Sequence, residues 1–280
     1  MHSCRRAHDA QAGAPVPQLE DGKRIEDSLR QHSLDVLAST LASRWGMEVE
    51  VCLEVGPEAT GAFVPDHPGC WVFGRDQESV LRKVKSAVSD WYVWSKGRKP
   101  DGASSIEVRP LEVLAVTYNP TEAGKPEPLF WSEIPPVSTA DINRTLSLMK
   151  HSREDLLKMC LGFDREILRW QPKAEPRSIG NCLKHIAIVE RWYITRLDID
   201  LPKDFPGDVF ELLRHTRRLA EQSLGKLSRE QRTGIFQPKN DPSPLCNLWT
   251  ARKVLRRFVD HERLHANYIR RLARLYQSKA

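Results

Sequence analysis

The spacing of apolar and polar residues changes several times along this 280-residue chain, and each change predicts a different structure. Residues 1–23 are polar and have no period, which is typical of a disordered tail. Apolar residues then recur every third or fourth position from Ile25 to Trp45, as they do in an amphipathic helix. The segment MEVEVCLEV alternates apolar and acidic residues, so it predicts a strand with one buried face.

The following segments predict the rest of a small α+β domain. TGAFVPD and GCWVFG are typical of two short strands on either side of a Pro-Gly turn. The helical period returns in DQESVLRKVKSAVSDWYVW, where Asp76 is the predicted N-cap. SIEVRPLEVLAVTYN is the last predicted strand, with a bend at Pro110. The order helix-β-β-β-α-β over residues 24–118 defines the predicted N-terminal domain.

Residues 119–137 contain five prolines and one glycine, which predicts an extended linker. Beyond the linker, residues 138–280 have the helical period almost throughout. Four long amphipathic segments are predicted to begin at Ser138, Ser178, Asp208 or Gly207, and Thr250. Their short and medium connections predict an all-α four-helix bundle as the second domain.

Histidines interrupt the apolar stripes of two predicted bundle helices. In the string HERLH, His261 and His265 lie four residues apart on the inward face of the last helix, and His185 takes an inward position on the second. A buried imidazole needs a polar partner, and one metal ion between facing helices would satisfy all three. The alternative is three core histidines with hydrogen-bond partners in the protein. The four-residue spacing of His261 and His265 is that of a metal site, for which His185 is the candidate third ligand.

HERLH also fits the HExxH pattern of zinc proteases, but the surrounding sequence does not favour that function. No His, Asp or Glu follows His265 to act as a third ligand. Glu262 lies about 100° around the helix from His261, which favours a position at the rim of the site or behind the ligands over the role of a proteolytic base. Cys182 either approaches the metal or packs in the core. Glu190 is expected to pair with an arginine such as Arg252, and a proton relay is the alternative role.

The formal net charge of +6 is unevenly distributed. Residues 250–280 hold nine Lys and Arg against two acidic residues, and these cations are predicted to form a solvated helix face. Without a recognition motif they predict at most weak, non-specific binding to nucleic acid or other acidic partners. The chain has no apolar run of about 18 residues and no signal-peptide pattern, and its six cysteines form no CxxC pair, which together predict a cytoplasmic protein without a membrane partner. A homodimer is the assembly left open.

The segment GAFVPDHPGCWVFGRDQESVLRKVKSAVSDW resembles the HicB-like antitoxin fold. The resemblance depends on the helix that follows Gly74 and on the turn residues, which are Pro65, Asp66, Pro68, Gly69 and Cys70. It implies a small module that is either structural or makes contacts with a protein partner. No helix-turn-helix or ribbon-helix-helix pattern accompanies it, although regulation of nucleic acid through this module is a third interpretation of the protein's function.

The segments ILRWQPKAEPRSIGNCLKHIAIVERW and WTARKVLRRFVDHERLH resemble the DinB-like family of four-helix bundles. The matching residues are Trp170, Pro172, Ser178, Ile179, His185, Glu190, Thr250, Ala251, Arg252, His261 and His265. The resemblance implies a divalent metal ion, often zinc or nickel, held by the three histidines with open positions for water or substrate. Relatives in this family include mycothiol-dependent maleylpyruvate isomerase and bacillithiol transferases.

Two functions follow from these resemblances. The first is a metal-dependent S-transferase, isomerase or hydrolase, in which the ion activates a low-molecular-weight thiol or water against a small electrophilic substrate. The second is a non-catalytic, metal-stabilised binding or regulatory protein that uses the HicB-like domain for partner contacts.

Overall fold

A computed structural model describes residues 47–101, 105–122, 124–125, 127–238 and 247–279. The predicted tail at 1–23 and the predicted helix from Ile25 to Trp45 lie outside these residues. From residue 47 onward the described chain belongs to one compact unit. It consists of a small mixed sheet with one long helix, followed by a helical region. No helix of the described chain has the length and apolar character needed to cross a membrane.

The sheet module follows the predicted order of strands and helix. Its elements are β1 (Met47–Val55), β2 (Thr60–Phe63), β3 (Trp71–Gly74), α1 (Gln77–Lys96) and β4 (Ile106–Ala115). The strands lie in the order β3-β2-β1-β4, with β1 antiparallel to β2 and parallel to β4. The register of β1 against β4 shifts by one residue beside Pro110, which has no N–H to donate to the ladder.

The helical region begins after a 3-10 helix at Trp131–Glu133. Its helices are α2 (Thr139–Met159), α3 (Arg165–Arg169), α4 (Ile179–Thr195), α5 (Val209–Gly225), α6 (Arg229–Thr233) and α7 (Ala251–Gln277). The predicted starts of the long helices are confirmed, because the side chains of Ser138, Ser178, Asp208 and Thr250 each accept a backbone N–H of the first turn.

The sheet module and the helical region share one hydrophobic core. Val49 of β1 and Val84 of α1 belong to the same buried cluster as Phe258 and Val259 of α7. The first half of α7 therefore lies between the sheet module on one side and the other long helices on the other. Burial of apolar area on both sides of α7 stabilises its packing against the sheet module and against the other helices.

This arrangement corrects the predicted solvated face of α7. Lys253, Arg256 and Arg257 are at most 8% exposed. The sheet module and the segment at 127–133, which precedes α2, cover the side of α7 that the sequence leaves polar. The guanidinium of Arg256 lies 3.8 Å from the ring centroid of Phe63 and pairs with Glu133. The prediction holds only farther along α7, where Arg271 and Arg274 are exposed.

Candidate metal centre

Two packed helices bring the three histidines of the predicted site together. His185 lies near the middle of α4, and His261 and His265 lie one turn apart on α7, which packs against α4. The ring centroids are 4.4–5.0 Å apart. One candidate ligand nitrogen from each ring lies within 4.8 Å of the other two. Among the described residues this is the group of side chains with the composition and spacing of a metal site.

The closest pair of nitrogens has the spacing that a metal ion requires. Nε2 of His185 and Nε2 of His261 are 3.2 Å apart. Two nitrogens bound to a tetrahedral zinc ion at about 2.0–2.1 Å are roughly 3.3 Å apart. The contact also fits a hydrogen bond between the two rings, with one ring protonated at Nε2. The candidate nitrogen of His265 lies within 4.8 Å of the other two, and one ion bound by all three rings requires similar separations of roughly 3.3 Å for every pair.

The electrostatic environment keeps all three imidazoles neutral. Burial lowers the pKa of His185 to about 4 and that of His265 to about 3, and it places the pKa of His261 well below its ordinary value. The positive charge of Arg177 lowers each of these pKa values further. A neutral imidazole is the form that binds a metal ion. The three rings are therefore ready to act as ligands at neutral pH without losing a proton.

The cluster is closed on one side and accessible on another. His261 is only 7% exposed, and the ring of Tyr193 packs edge-on against it with centroids 5.8 Å apart. His185 and His265 are partly exposed. A small molecule could therefore reach a bound ion from the side of His185 and His265, which suits a site with an open coordination position.

Cys182 contacts a histidine and does not belong to the cluster of candidate ligand atoms. Its Sγ lies 3.3 Å from Nδ1 of His265, which leaves Nε2 as the nitrogen of that ring that can bind a metal. Burial raises the pKa of the Cys182 thiol to about 12, so the group is a thiol at neutral pH. The side chain thus acts on the orientation of the His265 ring.

A buried ion-pair network crosses the helical region next to the histidines. Arg153 of α2 and Arg217 of α5 both pair with Glu190 of α4 and Glu262 of α7. The four side chains are at most 7% exposed. Glu262 is therefore not at the rim of the site. Glu190 pairs with arginines, as expected, but they are Arg153 and Arg217 and not Arg252. The sequence could not identify the network, since its partners come from four different helices.

Other residues near the site have different surroundings. Arg252 pairs instead with Asp141 at 3.2 Å and donates to backbone carbonyls before α2. The exposed His151 places Nε2 2.7 Å from the backbone oxygen of Trp94. Arg177, which the sequence analysis did not single out, directly precedes the N-cap Ser178 and acts electrostatically on the three imidazoles. Nothing in its sequence context distinguishes it from other loop arginines.

Comparison with known protein families finds a match within the helical region. Residues 148–269 match the model of the DinB superfamily, and the match includes all three histidines. This part of the chain is therefore DinB-like. No curated protein and no solved structure matches the chain significantly.

Proposed function

We propose that residues 138–280 form a DinB-like four-helix bundle that binds one divalent metal ion, zinc or nickel, through His185, His261 and His265. The observation that carries the proposal is the convergence of three neutral imidazole nitrogens, within 4.8 Å of one another, inside the segment that matches the DinB superfamily. Imidazole nitrogen is a preferred ligand of both metals. Three neutral ligands leave the ion its full charge.

The proposed activity is that of a metal-dependent S-transferase, isomerase or hydrolase acting on a small electrophilic substrate. A bound divalent ion would lower the pKa of a bound water or low-molecular-weight thiol and polarise a carbonyl group. The chain's own contribution is threefold. Burial keeps the imidazoles neutral, Cys182 orients His265, and the positive charge of Arg177 favours an anionic reactant at the open side.

The alternative is a non-catalytic, metal-stabilised protein that uses the HicB-like sheet module to contact a partner. The ion would then join α4 to α7 and stabilise the folded chain, since a ligand bound only by the folded state stabilises that state. The shared core of the sheet module and α7 favours this alternative, because the module packs against the helix that carries His261 and His265. For either function we propose a cytoplasmic location, no specific nucleic-acid partner, and a homodimer as the assembly to test.

Elemental analysis of purified protein, prepared with zinc and nickel available, tests the metal site. We expect one ion per chain, and we expect His185→Ala, His261→Ala and His265→Ala each to lose it or bind it much more weakly. His151→Ala is the matched control, because His151 is exposed and contacts a backbone oxygen near the sheet module. Wild-type protein without stoichiometric metal would refute the assignment.

Activity screens separate the two functions. Metal-loaded wild-type protein is assayed for thiol transfer, isomerisation and hydrolysis with small electrophiles, beside metal-free His261→Ala protein. Turnover that only the loaded protein supports favours the enzyme. Stoichiometric metal without turnover favours the binding protein.

A further inference from the structure

The turn between β2 and β3 contacts α7 directly beside the metal-site histidines. The backbone N–H of Gly69 donates to Oδ1 of Asp260 at 2.6 Å, and Nη1 of Arg263 donates to the carbonyl oxygen of Gly69, also at 2.6 Å. Asp260 precedes His261 in the sequence, and Arg263 lies between His261 and His265. One glycine of the sheet module is thus hydrogen-bonded both to the residue before His261 and to a residue between the two histidines of α7.

The contact is close enough to require glycine. A Cβ atom at Gly69 would lie 2.7 Å from Cδ of Arg263 and 2.8 Å from Cγ1 of Val259, which is closer than packed carbon atoms approach. Gly69 also has a φ of 89°, in the left-handed region that favours glycine. The turn is held in place from the module side, where Nε1 of Trp91 donates to the carbonyl of Pro68 at 2.8 Å.

Asp260 connects this turn to the segment that precedes α2. While its Oδ1 accepts from Gly69, its Oδ2 accepts from Nη1 of Arg256 at 2.7 Å. The same guanidinium donates through Nε to Glu133 at 2.8 Å. The Asp260 side chain is 1% exposed, so both oxygens make their hydrogen bonds away from water. Hydrogen bonds of buried, charged groups are strong and hold their geometry.

We propose that the turn at 65–69 is a positioning clamp that fixes the rotation and axial position of α7, so that His261 and His265 face His185. This inference rests on the proposed metal site. The sheet module thereby has a role in metal binding although it supplies no ligand. Gly69, Asp260 and Arg263 are positioning residues, since they act through the helix that carries the ligands.

The geometry of a metal site explains why such a clamp matters. An imidazole nitrogen lies roughly 6 Å from the axis of its helix, so a rotation of about 20° displaces it by about 2 Å. Metal–ligand distances tolerate deviations of only about 0.2 Å. A small rotation of α7 would therefore separate both of its histidines from His185 while leaving the helix intact. A contact one residue from His261 restrains this rotation more directly than distant core packing does.

The test compares two glycines of the sheet module. Gly69→Ala places a Cβ against α7, whereas Gly97→Ala places one where no atom lies within 4 Å. Both glycines have a left-handed backbone, with φ values of 89° and 69°, so both substitutions carry a similar backbone cost. Cobalt(II) is the probe. Competition with a chelator measures its affinity, and visible absorption reports its coordination. Both measurements are made well below the unfolding temperature of each variant.

We expect Gly69→Ala to weaken cobalt binding about tenfold or more, the range typical of residues that orient metal ligands, and to change the absorption spectrum. Gly97→Ala should match the wild type in both. Wild-type cobalt affinity in folded Gly69→Ala, or an equal loss in Gly97→Ala, would overturn the clamp alone. Wild-type protein that binds no cobalt would overturn the proposed metal site and the clamp with it.

Arg263→Gln provides a second variant if Gly69→Ala does not fold. Loss of a positive charge near the site would by itself strengthen cation binding, whereas loss of the hydrogen bond to Gly69 would weaken it if the clamp exists. Weaker cobalt binding in Arg263→Gln supports the clamp. Stronger binding, which the loss of charge produces by itself, contradicts it.

Discussion

The thiol sulfur of Cys182 lies 3.3 Å from Nδ1 of His265, the ring nitrogen opposite the one that can bind a metal. Metal-ligating histidines typically use their second nitrogen in a hydrogen bond that sets the tautomer and orientation of the ring. In this protein a thiol fills the role that a carboxylate or a backbone carbonyl more often fills. The affinity of the site should therefore depend on Cys182 although Cys182 is not a ligand.

We expect Cys182→Ala to weaken metal binding about tenfold, because Nδ1 of His265 loses its partner, and Cys182→Ser to retain most of the affinity. Cys160→Ala is the matched control, since Cys160 is buried in the same cluster. Chelator competition measures each affinity. Equal affinities for Cys182→Ala and Cys160→Ala would contradict the orienting role, and a sulfur-to-metal charge-transfer band in cobalt-loaded wild type would make Cys182 a ligand instead.

Glu262 should matter for stability more than for metal binding. Its carboxylate accepts from Arg153 and Arg217 with 1% of the side chain exposed. Glu262→Ala leaves two buried guanidinium groups short of a partner, so we expect the free energy of unfolding to fall by about 3–5 kcal/mol. Metal binding should persist in the folded variant. Chemical denaturation and elemental analysis measure the two effects.

The control for this substitution is Glu154→Ala. Glu154 pairs with Lys150 at 4.0 Å on the surface, and both side chains are more than 60% exposed. An exposed pair contributes about 0–1 kcal/mol, so Glu154→Ala should change the free energy of unfolding little. A Glu262→Ala protein of wild-type stability that has lost its metal would assign Glu262 to the metal centre and refute our interpretation.

The metal-free protein should lose stability as the pH falls below neutrality. His185 and His265 have folded-state pKa values of about 4 and about 3, below the ordinary value of 6.5. Below pH 6.5 the unfolded state binds protons that the folded state excludes, so stability falls with decreasing pH until the folded pKa values are reached. Above pH 6.5 both states are neutral at these positions, and the full contribution is present.

Chemical denaturation of metal-free protein, prepared with a chelator, at several pH values between 6.5 and 4 measures this loss of stability. Carboxylates also titrate there, so the quantity compared is the difference in pH dependence between wild type and the double variant His185→Ala, His265→Ala. We expect a smaller loss of stability in the double variant. The same slope in both proteins would mean that the imidazoles are not held neutral by burial.

Binding to DNA should be weak, independent of sequence and suppressed by salt. Three of the nine cations in residues 250–280 are buried in ion pairs or against aromatic rings, so fewer charges can contact phosphate than the sequence suggests. Fluorescence anisotropy with unrelated duplexes, at low and physiological ionic strength, measures this. A sequence-specific complex at physiological salt would support a regulatory function for the sheet module.

The local structure of this protein could be predicted from its sequence. The strands and the long helices of the described chain begin near their predicted positions, and Asp76 and Ser138 cap their helices as expected. These features depend on side chains and backbone groups a few residues apart, and the relevant pattern is therefore present in short segments. The inward positions of His185, His261 and His265 follow from the same periodicity.

Tertiary structure decided which polar groups are buried and which partners they have. The cationic side of α7 has the pattern of a solvated face, yet the sheet module covers it, and Arg256 and Arg257 become buried ion-pair partners. Glu190 and Glu262 find Arg153 and Arg217 on two other helices, and Gly69 meets Asp260 across 191 residues. Periodicity reports only that one face of a helix is apolar. Whether another part of the chain packs against the polar face depends on the relative positions of distant segments, which no local pattern encodes.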